Sequence, residues 1–580
     1  MVTIKDPRQR PLFDPFEHVF SPLAYKTIEK GWQGVFRHVI LELLPAQTVA
    51  GEFHPLMGRP TKELYSVAGL IFIMEFNDWT TEQAAQAYMF NSDIWYALNL
   101  EPGLNSMSVR TVERYQEIFR DNELAKAVML DVTARLVEVL ELNVAQQRLD
   151  STHVFSNMAT FGRTRLMGVT VKRFLSQVKR HDEQAYESLP EELIERYRPS
   201  EHHLFGHTAK DKESRRLLRQ QVAEDMFALI TRFGDNERFN RRSTFKTLCA
   251  VFEQQCEIIE EQVEVKKKTG GNVIQNPSDP DATYDGHKGP GYQAQISETC
   301  TDENEVQLVT SAIPQTACES DADAVEPVCE ELKQSELLPE EMLADTLYGS
   351  DENVQASAED GMELISPVSG KAPDDKVMTI GDFEVDDATE EVKTCPAGHT
   401  PIRSEHDPDT GKTRTEMPPD VCECCPDKER CPVIQTRNGC HFEHTSKQRR
   451  LDQRRRNEKT EAFRQTYRRR SGIESTNSGI KRRTGMARLR VRGKKSVFHA
   501  ILLKIAGWNI FQAARSEKMR RHVAEQMEKR SQKNQKVEVP QPIDGRLSPL
   551  TAYTWLENAL CIRNKAHSHQ INDHRLLCAA

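Results

Sequence analysis

The chain lacks any uninterrupted apolar run long enough to cross a membrane. Segment Val497–Trp508 is strongly apolar, but His499 and Lys504 interrupt it, whereas a membrane-spanning helix needs about 20 predominantly apolar residues. The first residues also lack the charged-then-apolar order of a secretory signal peptide. We therefore expect a soluble, cytoplasmic protein that has no membrane partner.

A disulfide framework is not expected either. The chain has 580 residues and 13 cysteines, and the cytoplasm keeps thiols reduced. In that setting cysteines indicate free thiols or a metal site rather than disulfide bonds. The length is enough for about three or four domains with a sizeable core.

An overall excess of positive charge, the simplest sign of a nucleic-acid partner, is missing as well. The net charge is −10, but residues 441–535 hold 27 Lys and Arg against 8 Asp and Glu. This segment therefore carries +19 and the rest of the chain carries −29. Such asymmetry is typical of a polyanion-binding segment on an acidic protein, and the alternative is a solvated helical surface.

The N-terminal part of the chain has helical periodicity. After Gly58-Arg59-Pro60, apolar residues recur at the spacing of one helix face, and Ser108 is a plausible N-cap of a later helix. We expect residues 1–135 to form a small all-α domain that binds DNA. Pattern alone leaves open whether this domain binds DNA or is an ordinary helical bundle.

Strand signals follow this helical part. The predicted strands are Asn143–Asp150, Tyr292–Thr299, Glu305–Ile313, Glu341–Asp345 and Met362–Pro367, with the second and third forming a hairpin. Residues 136–163 and 270–368 thus predict an α/β sheet with acids at strand ends, which is the edge where such sheets collect functional groups. The polar residues 164–269 between them predict a helical insertion.

The C-terminal half divides into three further segments. Residues 369–446 have no regular pattern and are rich in cysteine and histidine, and residues 447–514 predict a basic helix followed by an apolar closing helix. Residues 515–580 predict a charged, basic helix, a proline-containing linker and a tail.

Four residues of the basic helix form a stripe. Tyr467, Arg470, Glu474 and Lys481 are spaced by three, four and seven, which predicts one helix face. An amphipathic helix with a polar face is the alternative. A lone carboxylate among cations suits a group that holds a divalent metal beside a phosphate.

Three acids from distant positions are enough to hold two divalent ions for phosphodiester transfer. Asp150 and Asp345 end predicted strands, and Glu474 lies on the stripe. Only the fold can bring these three carboxylates together, because they are far apart in sequence.

The spacing Tyr-x2-Arg-x3-Glu-x6-Lys resembles the YREK signature of bacterial insertion-sequence transposases of the DDE class. Leu149-Asp150-Ser151-Thr152 resembles the first catalytic block of that family, and the segment from Ala344 to Ser350 resembles the second. The order Leu347-Tyr348-Gly349 departs slightly from the family pattern. The N-terminal helices and the turn His287–Tyr292 extend the resemblance over roughly residues 50–510.

The resemblance implies a ribonuclease-H-like mixed sheet core with Asp150 on the first strand, Asp345 on the fourth and Glu474 on a late helix. It implies that these acids bind two Mg²⁺ or Mn²⁺ ions, and that Tyr467, Arg470 and Lys481 contact DNA. The implied reaction is cleavage of double-stranded DNA at the terminal inverted repeats of a mobile element, followed by joining of the 3′ ends to target DNA. Assembly on two ends implies a homodimer on DNA.

Two alternatives stay open at this point. One is a catalytically inactive transposase relic that only binds DNA, and the other is a metal-dependent host nuclease that cleaves without joining. The intact acids disfavour the relic.

The cysteine-rich stretch resembles a ribbon-type zinc site. Its pattern is Cys395-x3-His399, then Cys422-x-Cys424-Cys425-x5-Cys431. The predicted zinc ligands are Cys395, Cys422, Cys425 and Cys431, with Cys424 and His399 as substitutes. Free thiols in a loop are the alternative, because the first knuckle has one cysteine instead of a pair. Transposases similar to this chain often carry a cysteine-rich insertion at this point.

Overall fold

The computed structural model describes residues 1–8, 14–205, 211–374, 376–437 and 439–535, with side chains as far as Lys529. The chain divides into two compact units, Met1–Val523 and Ala524–Ala580. From the second unit, the structure describes residues 524–535, which form the last part of a helix that ends at Gln535. The linker and tail predicted beyond it lie outside the described residues.

The helices are distributed along the whole described chain. In order they are α1 Phe16–Val19, α2 Pro22–Lys30, α3 Trp32–Val35, α4 Ala46–Gly51, α5 Leu64–Phe76, α6 Thr81–Phe90, α7 Ser92–Ala97, α8 Val109–Asp121, α9 Leu124–Leu140, α10 Arg163–His181, α11 Glu183–Glu187, α12 Glu191–Tyr197, α13 Lys212–Phe233, α14 Ser243–Gln255, α15 Val325–Gln334, α16 Asp351–Glu359, α17 Pro419–Glu423, α18 Ser446–Glu458, α19 Glu461–Tyr467, α20 Gly472–Thr484, α21 Lys494–Ala513 and α22 Glu517–Gln535. Short non-α turns lie at Phe36–Ile40, Leu41–Leu43, Asp321–Ala324, Ile380–Asp382 and Arg468–Ser471.

The strands belong to one larger sheet and three small ones. They are β1 Gln146–Val154, β2 Cys256–Ile259, β3 Gln262–Val265, β4 Thr283–Asp285, β5 Gly289–Thr299, β6 Val309–Thr316, β7 Glu341–Leu343, β8 Glu363–Ile365, β9 Glu384–Val385, β10 Val392–Thr394, β11 Arg403–Asp407, β12 Lys412–Met417, β13 Ile434–Thr436 and β14 Gly439–Thr445.

The largest sheet is mixed. Its order is β4-β5-β1-β7-β8, and β6 also pairs with β5. β1 runs antiparallel to β5 and parallel to β7, and β7 runs parallel to β8. The predicted α/β class is therefore confirmed. The predicted hairpin is confirmed as the antiparallel pair of β5 and β6, although its second strand begins at Val309 instead of Glu305.

The N-terminal segment is helical, with one boundary that differs from the prediction. α5 begins at Leu64 and not at Gly58, because the carboxylate of Glu63 accepts hydrogen bonds from the first free amides, those of Tyr65 and Ser66. The next two helices, α6 and α7, are separated at Asn91. The predicted N-cap Ser108 is confirmed, since its side chain accepts from the Thr111 amide.

Helix α21 connects the N-terminal helices to the sheet. It contacts α5, α9, α20 and β6, which explains why it is apolar on nearly all sides. Its buried Lys504 donates from Nζ to the Glu75 and Thr484 carbonyls, at 2.8 and 2.6 Å, and to Asp78 Oδ1 at 3.0 Å. One ammonium group thereby joins the end of α5, the end of α20 and α21.

Residues 163–274 have a hydrophobic cluster of their own. α10, α13 and α14 pack around buried residues such as Phe174, Val222 and Leu248. The prediction of helices here missed the hairpin of β2 and β3. Its turn uses Glu260 and Glu261 at positive φ, 49° and 65°, where Asn and Gly are the usual signal.

The cysteine-rich segment is more regular than predicted. β11, β12, β14 and β13 form an antiparallel sheet in that order. Phe383 and Phe442 stack under it with ring centroids 4.8 Å apart, and Cys395 and Cys431 pack against the same small cluster. Strands this short between charged residues carry a weak sequence signal.

No single helix within the described ranges is both long enough and apolar enough to span a membrane. Among helix pairs in the same described ranges, the bent pair of Lys494–Ala513 and Glu517–Lys529 alone meets the length and composition criteria together. Most of α21 is buried inside the fold.

Candidate active site

Two aspartates lie at the same end of neighbouring strands. Asp150 is in β1, and Asp345 follows β7 by two residues. The strands pair in parallel with Arg148 opposite Leu343, so continuing that register brings Asp150 opposite Asp345. The sheet topology thus joins two acids that are far apart in the sequence.

The stripe does not lie on a single α-helix. α19 ends at Tyr467, a 3₁₀ turn covers Arg468–Ser471, and α20 begins at Gly472. The predicted helix geometry is therefore wrong, because a 3₁₀ turn advances by about 120° per residue instead of about 100°. The turn nevertheless keeps Arg470 on the side of the aspartates.

Arg470 bridges all three predicted acids. Its Nη2 lies 3.0 Å from Asp150 Oδ1 and 3.6 Å from Asp345 Oδ2, and its Nη1 lies 3.5 Å from Glu474 Oε1. The side chains of Arg470 and Asp150 are 17% and 16% exposed, against 70% for Glu474. The three carboxylates therefore surround one guanidinium, with Glu474 on the solvent side.

The electrostatics of this group favour a bound cation. Burial raises the pKa of Asp150, and the neighbouring charges of Asp345 and Asp321 raise it further, while Arg470 opposes them. Burial likewise raises the pKa of the Tyr467 phenol, although Arg470 counteracts it. Clustered carboxylates repel each other when ionised, so added positive charge stabilises them.

A buried ion pair fixes the start of α20 against the sheet. Arg148 Nη2 lies 2.6 Å from Glu298 Oε2, and Thr476 donates to Glu298 Oε1 at 2.7 Å. Arg148 also donates to the Arg469 carbonyl at 2.9 Å. A Cβ at Gly472 would lie 1.9 Å from Arg148 Nη1, so glycine allows this close approach and Glu474 is positioned by it.

Asn477 is a site residue that the sequence analysis missed. Its Nδ2 donates to Asp150 Oδ2 at 3.2 Å, so it holds the carboxylate oxygen that Arg470 leaves free. The residue is 8% exposed, and its Oδ1 has no partner among the described residues. Asn477 follows Glu474 by three residues, so it lies on the same helix face within the predicted stripe, and that spacing could have found it.

A second missed group supports the first strand. Lys288 Nζ donates to Ser151 Oγ at 2.8 Å, and Ser151 donates to Asp321 Oδ2 at 3.1 Å. Gln295 donates to Asp321 Oδ1 at 2.9 Å and accepts from the buried Tyr348 hydroxyl at 2.5 Å. Ser151, Lys288 and Tyr348 lie in segments that carry the family resemblance, whereas no local motif indicates Asp321 or Gln295.

The other two stripe residues lie near the acids without directly bonding to them in the described contacts. Tyr467 stacks on Phe463 with centroids 5.4 Å apart. Burial lowers the pKa of Lys481, Lys288 lowers it further, and Asp150 opposes this. Lys481 is thus close to both Asp150 and Lys288.

Part of the basic segment is neutralised within the fold. Five of its arginines form ion pairs with acids of the chain. The pairs are Arg449 with Asp387 and Glu390, Arg450 with Asp351, Arg456 with Asp382 and Asp452, Arg469 with Asp302, and Arg490 with Asp78. These five arginines are therefore paired within the fold. Exposed cations remain at the end of α20 and just beyond it, at Arg482, Arg483, Arg488, Arg492 and Lys495.

The four predicted zinc ligands line one small cavity. Cys395, Cys422, Cys425 and Cys431 surround about 40 Å³ together with Cys440 and His399. Burial raises the pKa of the Cys422 thiol to about 12, and the adjacent Cys440, Cys431 and Cys395 add to the shift. Cys424 is exposed and does not line the cavity.

The acid cluster and the cysteine cavity both contain side chains that metal ions prefer. Over the described ranges, no three His, Cys, Asp or Glu side chains are already arranged as a metal site. The carboxylate oxygens suit Mg²⁺ or Mn²⁺, and the thiols suit Zn²⁺. The acids already accommodate one cation, the Arg470 guanidinium, so their donor set fits a metal once that side chain withdraws.

Residues 394–514 match the model of a protein family described as Transposase DDE domain. The match includes Glu474 and the cysteine cavity. Among solved structures, the chain is similar to the cryo-EM structure of the piggyBac transposase synaptic complex with hairpin DNA, at 9% identity over 66% of this chain and 77% of that chain, with a TM-score of 0.20. No curated protein matches the chain.

Proposed function

We propose that the chain is a DNA transposase of the DDE class. It cleaves double-stranded DNA at the terminal inverted repeats of an insertion sequence and joins the 3′ ends to target DNA in the cytoplasm. The observation that carries the proposal is the meeting of Asp150, Asp345 and Glu474 around one guanidinium. The match of residues 394–514 to Transposase DDE domains supports it.

The strand order supports a ribonuclease-H-like core. In the sheet, β1 lies between the antiparallel β5 and the parallel β7. Without the three-residue strand β4, the strands of this sheet follow along the chain as β1, β5, β6, β7 and β8, so β7 is the fourth. Asp150 on the first strand, Asp345 after the fourth and Glu474 on a late helix then agree with the family arrangement.

The three acids would hold two Mg²⁺ or Mn²⁺ ions. Such ions activate the attacking oxygen and stabilise the leaving oxygen in phosphodiester transfer. Asn477 holds Asp150 in place from the opposite side. The Arg148–Glu298 pair keeps α20 against β1 and β5, so Glu474 approaches the aspartates from a fixed direction.

DNA contacts are assigned to the stripe and the neighbouring exposed cations. Arg470 and Lys481 bind phosphates, and Tyr467 stacks or donates a hydrogen bond to the strand. The exposed arginines at the end of α20 extend this surface. Because two element ends must be joined together, the active form is a homodimer on DNA.

A structural Zn²⁺ in the cysteine cavity completes the proposal. Cys395, Cys422, Cys425 and Cys431 are its ligands, and Cys440 lines the same cavity as a replacement thiol. A site with four protein ligands leaves no open position for chemistry, so its role is structural. It holds the small sheet and α17 together next to α18.

The test uses the purified protein, Mg²⁺ and end-labelled duplexes that carry the inverted repeats flanking the coding DNA. Transposition predicts cleavage at the repeat border and strand joining to a second, unlabelled duplex. Cleavage without joining would indicate a nuclease, and binding without cleavage would indicate the inactive relic. Either outcome would reject the proposed function.

A further inference from the structure

We infer that Arg470 couples DNA binding to metal binding: without DNA its guanidinium occupies the carboxylate cluster, and on DNA it transfers to a phosphate. This inference rests on the proposed function and concerns the regulation of the same site. It concerns Arg470 alone, because Lys481 makes no described bond to the acids.

The contacts show a cation already bound by the metal-binding groups. Nη2 is shared between Asp150 and Asp345, at 3.0 and 3.6 Å, and Nη1 reaches Glu474 at 3.5 Å. These are the same carboxylates that would ligate a divalent ion. A guanidinium and a divalent ion in one small cluster repel each other, so both cannot remain there with full contact.

The guanidinium is not locked in its place. Its Nε is buried and has no partner among the described residues, and the contacts to Asp345 and Glu474 are longer than a strong charge-assisted bond. Arg470 belongs to the 3₁₀ turn between α19 and α20, where the intrahelical hydrogen bonds are weaker than in an α-helix.

A DNA phosphate offers Arg470 a better acceptor. Arginine binds phosphate through two parallel hydrogen bonds, and the neighbouring Lys481 and Lys288 add positive charge at the same edge of the site. Once Arg470 moves to the phosphate, the carboxylates lose their cation and bind divalent ions more tightly. The site is then loaded with metal mainly when DNA is present.

Linkage makes this inference testable without any measurement of cleavage. If Arg470 must leave the acids before metal binds, removing its charge has to tighten metal binding in the DNA-free protein. By reciprocity, the factor by which DNA tightens metal binding in the wild type must equal the factor by which metal tightens DNA binding, and this factor must be smaller in the variant.

The experiment measures Mn²⁺ affinity of the full chain by calorimetry, without DNA and with a 20-base-pair duplex of arbitrary sequence. Arg470→Gln keeps the length and hydrogen bonding of the side chain but removes the charge. We expect it to bind Mn²⁺ about tenfold tighter than the wild type without DNA, within the usual range of coupling energies. With the duplex present, the difference should shrink.

Two further variants make the result specific. Arg468→Gln removes an exposed charge from the same 3₁₀ turn and should leave Mn²⁺ affinity unchanged, while Arg470→Lys keeps the charge and should stay near the wild type. Unchanged or weaker Mn²⁺ binding by Arg470→Gln would overturn the inference alone. Mn²⁺ binding that Asp150→Asn does not weaken would instead overturn the metal site of the proposed function, and the inference with it.

Discussion

The acid cluster and the cysteine cavity both collect metal-binding side chains, but they are built in opposite ways. Asp150, Asp345 and Glu474 come from two strands and a helix that are distant in sequence, and Arg470 holds them together. The thiols come mainly from one short segment and line a small cavity of about 40 Å³. A partly exposed acid cluster suits chemistry on a large substrate, whereas four thiols around one ion would leave no open position for chemistry and suit a structural role.

The two groups also differ in what holds them in place. The acid cluster depends on strand register and on the buried Arg148–Glu298 pair, which belong to the main sheet and α20. The cysteine cavity depends on a small cluster around Phe383 and Phe442. Loss of a thiol should therefore affect local stability, whereas loss of an acid should affect activity.

The largest expected effect is on the acids. Asp150→Asn, Asp345→Asn and Glu474→Gln should each lower Mg²⁺-dependent cleavage by about a thousandfold or more, because metal stabilisation of the transition state amounts to several kcal/mol. A gel-based cleavage assay and a mobility-shift assay on the same labelled duplex measure activity and binding. DNA binding should be largely retained.

Glu461→Gln is the matched control for the acid variants, since Glu461 is an exposed glutamate on α19 whose ion pair with Arg464 is long, at 3.8 Å. It should cleave as the wild type does. Normal cleavage by any one of the three acid variants would exclude that residue from the site.

The second effect concerns the thiols. Cys422→Ser should release Zn²⁺ and destabilise the small sheet by about 3 kcal/mol, which is in the range of losses of a structural metal. Zinc content by mass spectrometry and limited proteolysis within residues 369–446 measure both changes. Cys424→Ser, at an exposed thiol outside the cavity, is the control and should keep zinc. Equal zinc content in the two variants contradicts the ligand assignment.

The third effect concerns the residue that joins the acids to α20. Asn477→Leu keeps the volume of this buried side chain but removes the donor to Asp150, and we expect cleavage to fall about tenfold, the equivalent of one hydrogen bond to a charged group. Mn²⁺ affinity should weaken in parallel. A drop in melting temperature with unchanged Mn²⁺ affinity would show that Asn477 only packs.

The smallest effect is a pH dependence in the small sheet. Burial lowers the pKa of His444 to about 4, and the positive charges of Arg449 and His406 add to the shift. Between pH 4 and the ordinary value of 6.5, His444 is therefore protonated in the unfolded chain but neutral in the folded one. Stability is therefore lost as the pH falls from about 6.5 towards 4. In His444→Leu, the free energy of unfolding should fall less steeply with falling pH, by about 1 kcal/mol per pH unit. Thermal melting at several pH values measures this slope. Parallel curves for the two proteins would contradict the assignment.

The sequence predicted what local patterns encode. Motifs predicted Asp150, Asp345 and Glu474, and spacing predicted the thiols; the structure brings each group together. Alternation predicted the hairpin of β5 and β6, which is confirmed. The hairpin of β2 and β3 was missed because glutamates occupy the positive-φ turn positions, which steric preference does not predict.

The partners of the site residues could not be predicted in the same way. Asp321, Lys288 and Gln295 meet through strand pairing and a helix cap, so their roles depend on register. The bridging position of Arg470 depends on a 3₁₀ turn that interrupts the stripe. A helical wheel assumes one regular helix and cannot show which acid such a side chain reaches.

The most direct test of the acid cluster is a crystal structure of the protein with DNA and Mn²⁺, with anomalous scattering recorded to locate the metal. The account predicts manganese peaks ligated by Asp150, Asp345 and Glu474, with the Arg470 guanidinium moved onto a phosphate. Manganese bound elsewhere, with Arg470 still between the three carboxylates, would contradict it.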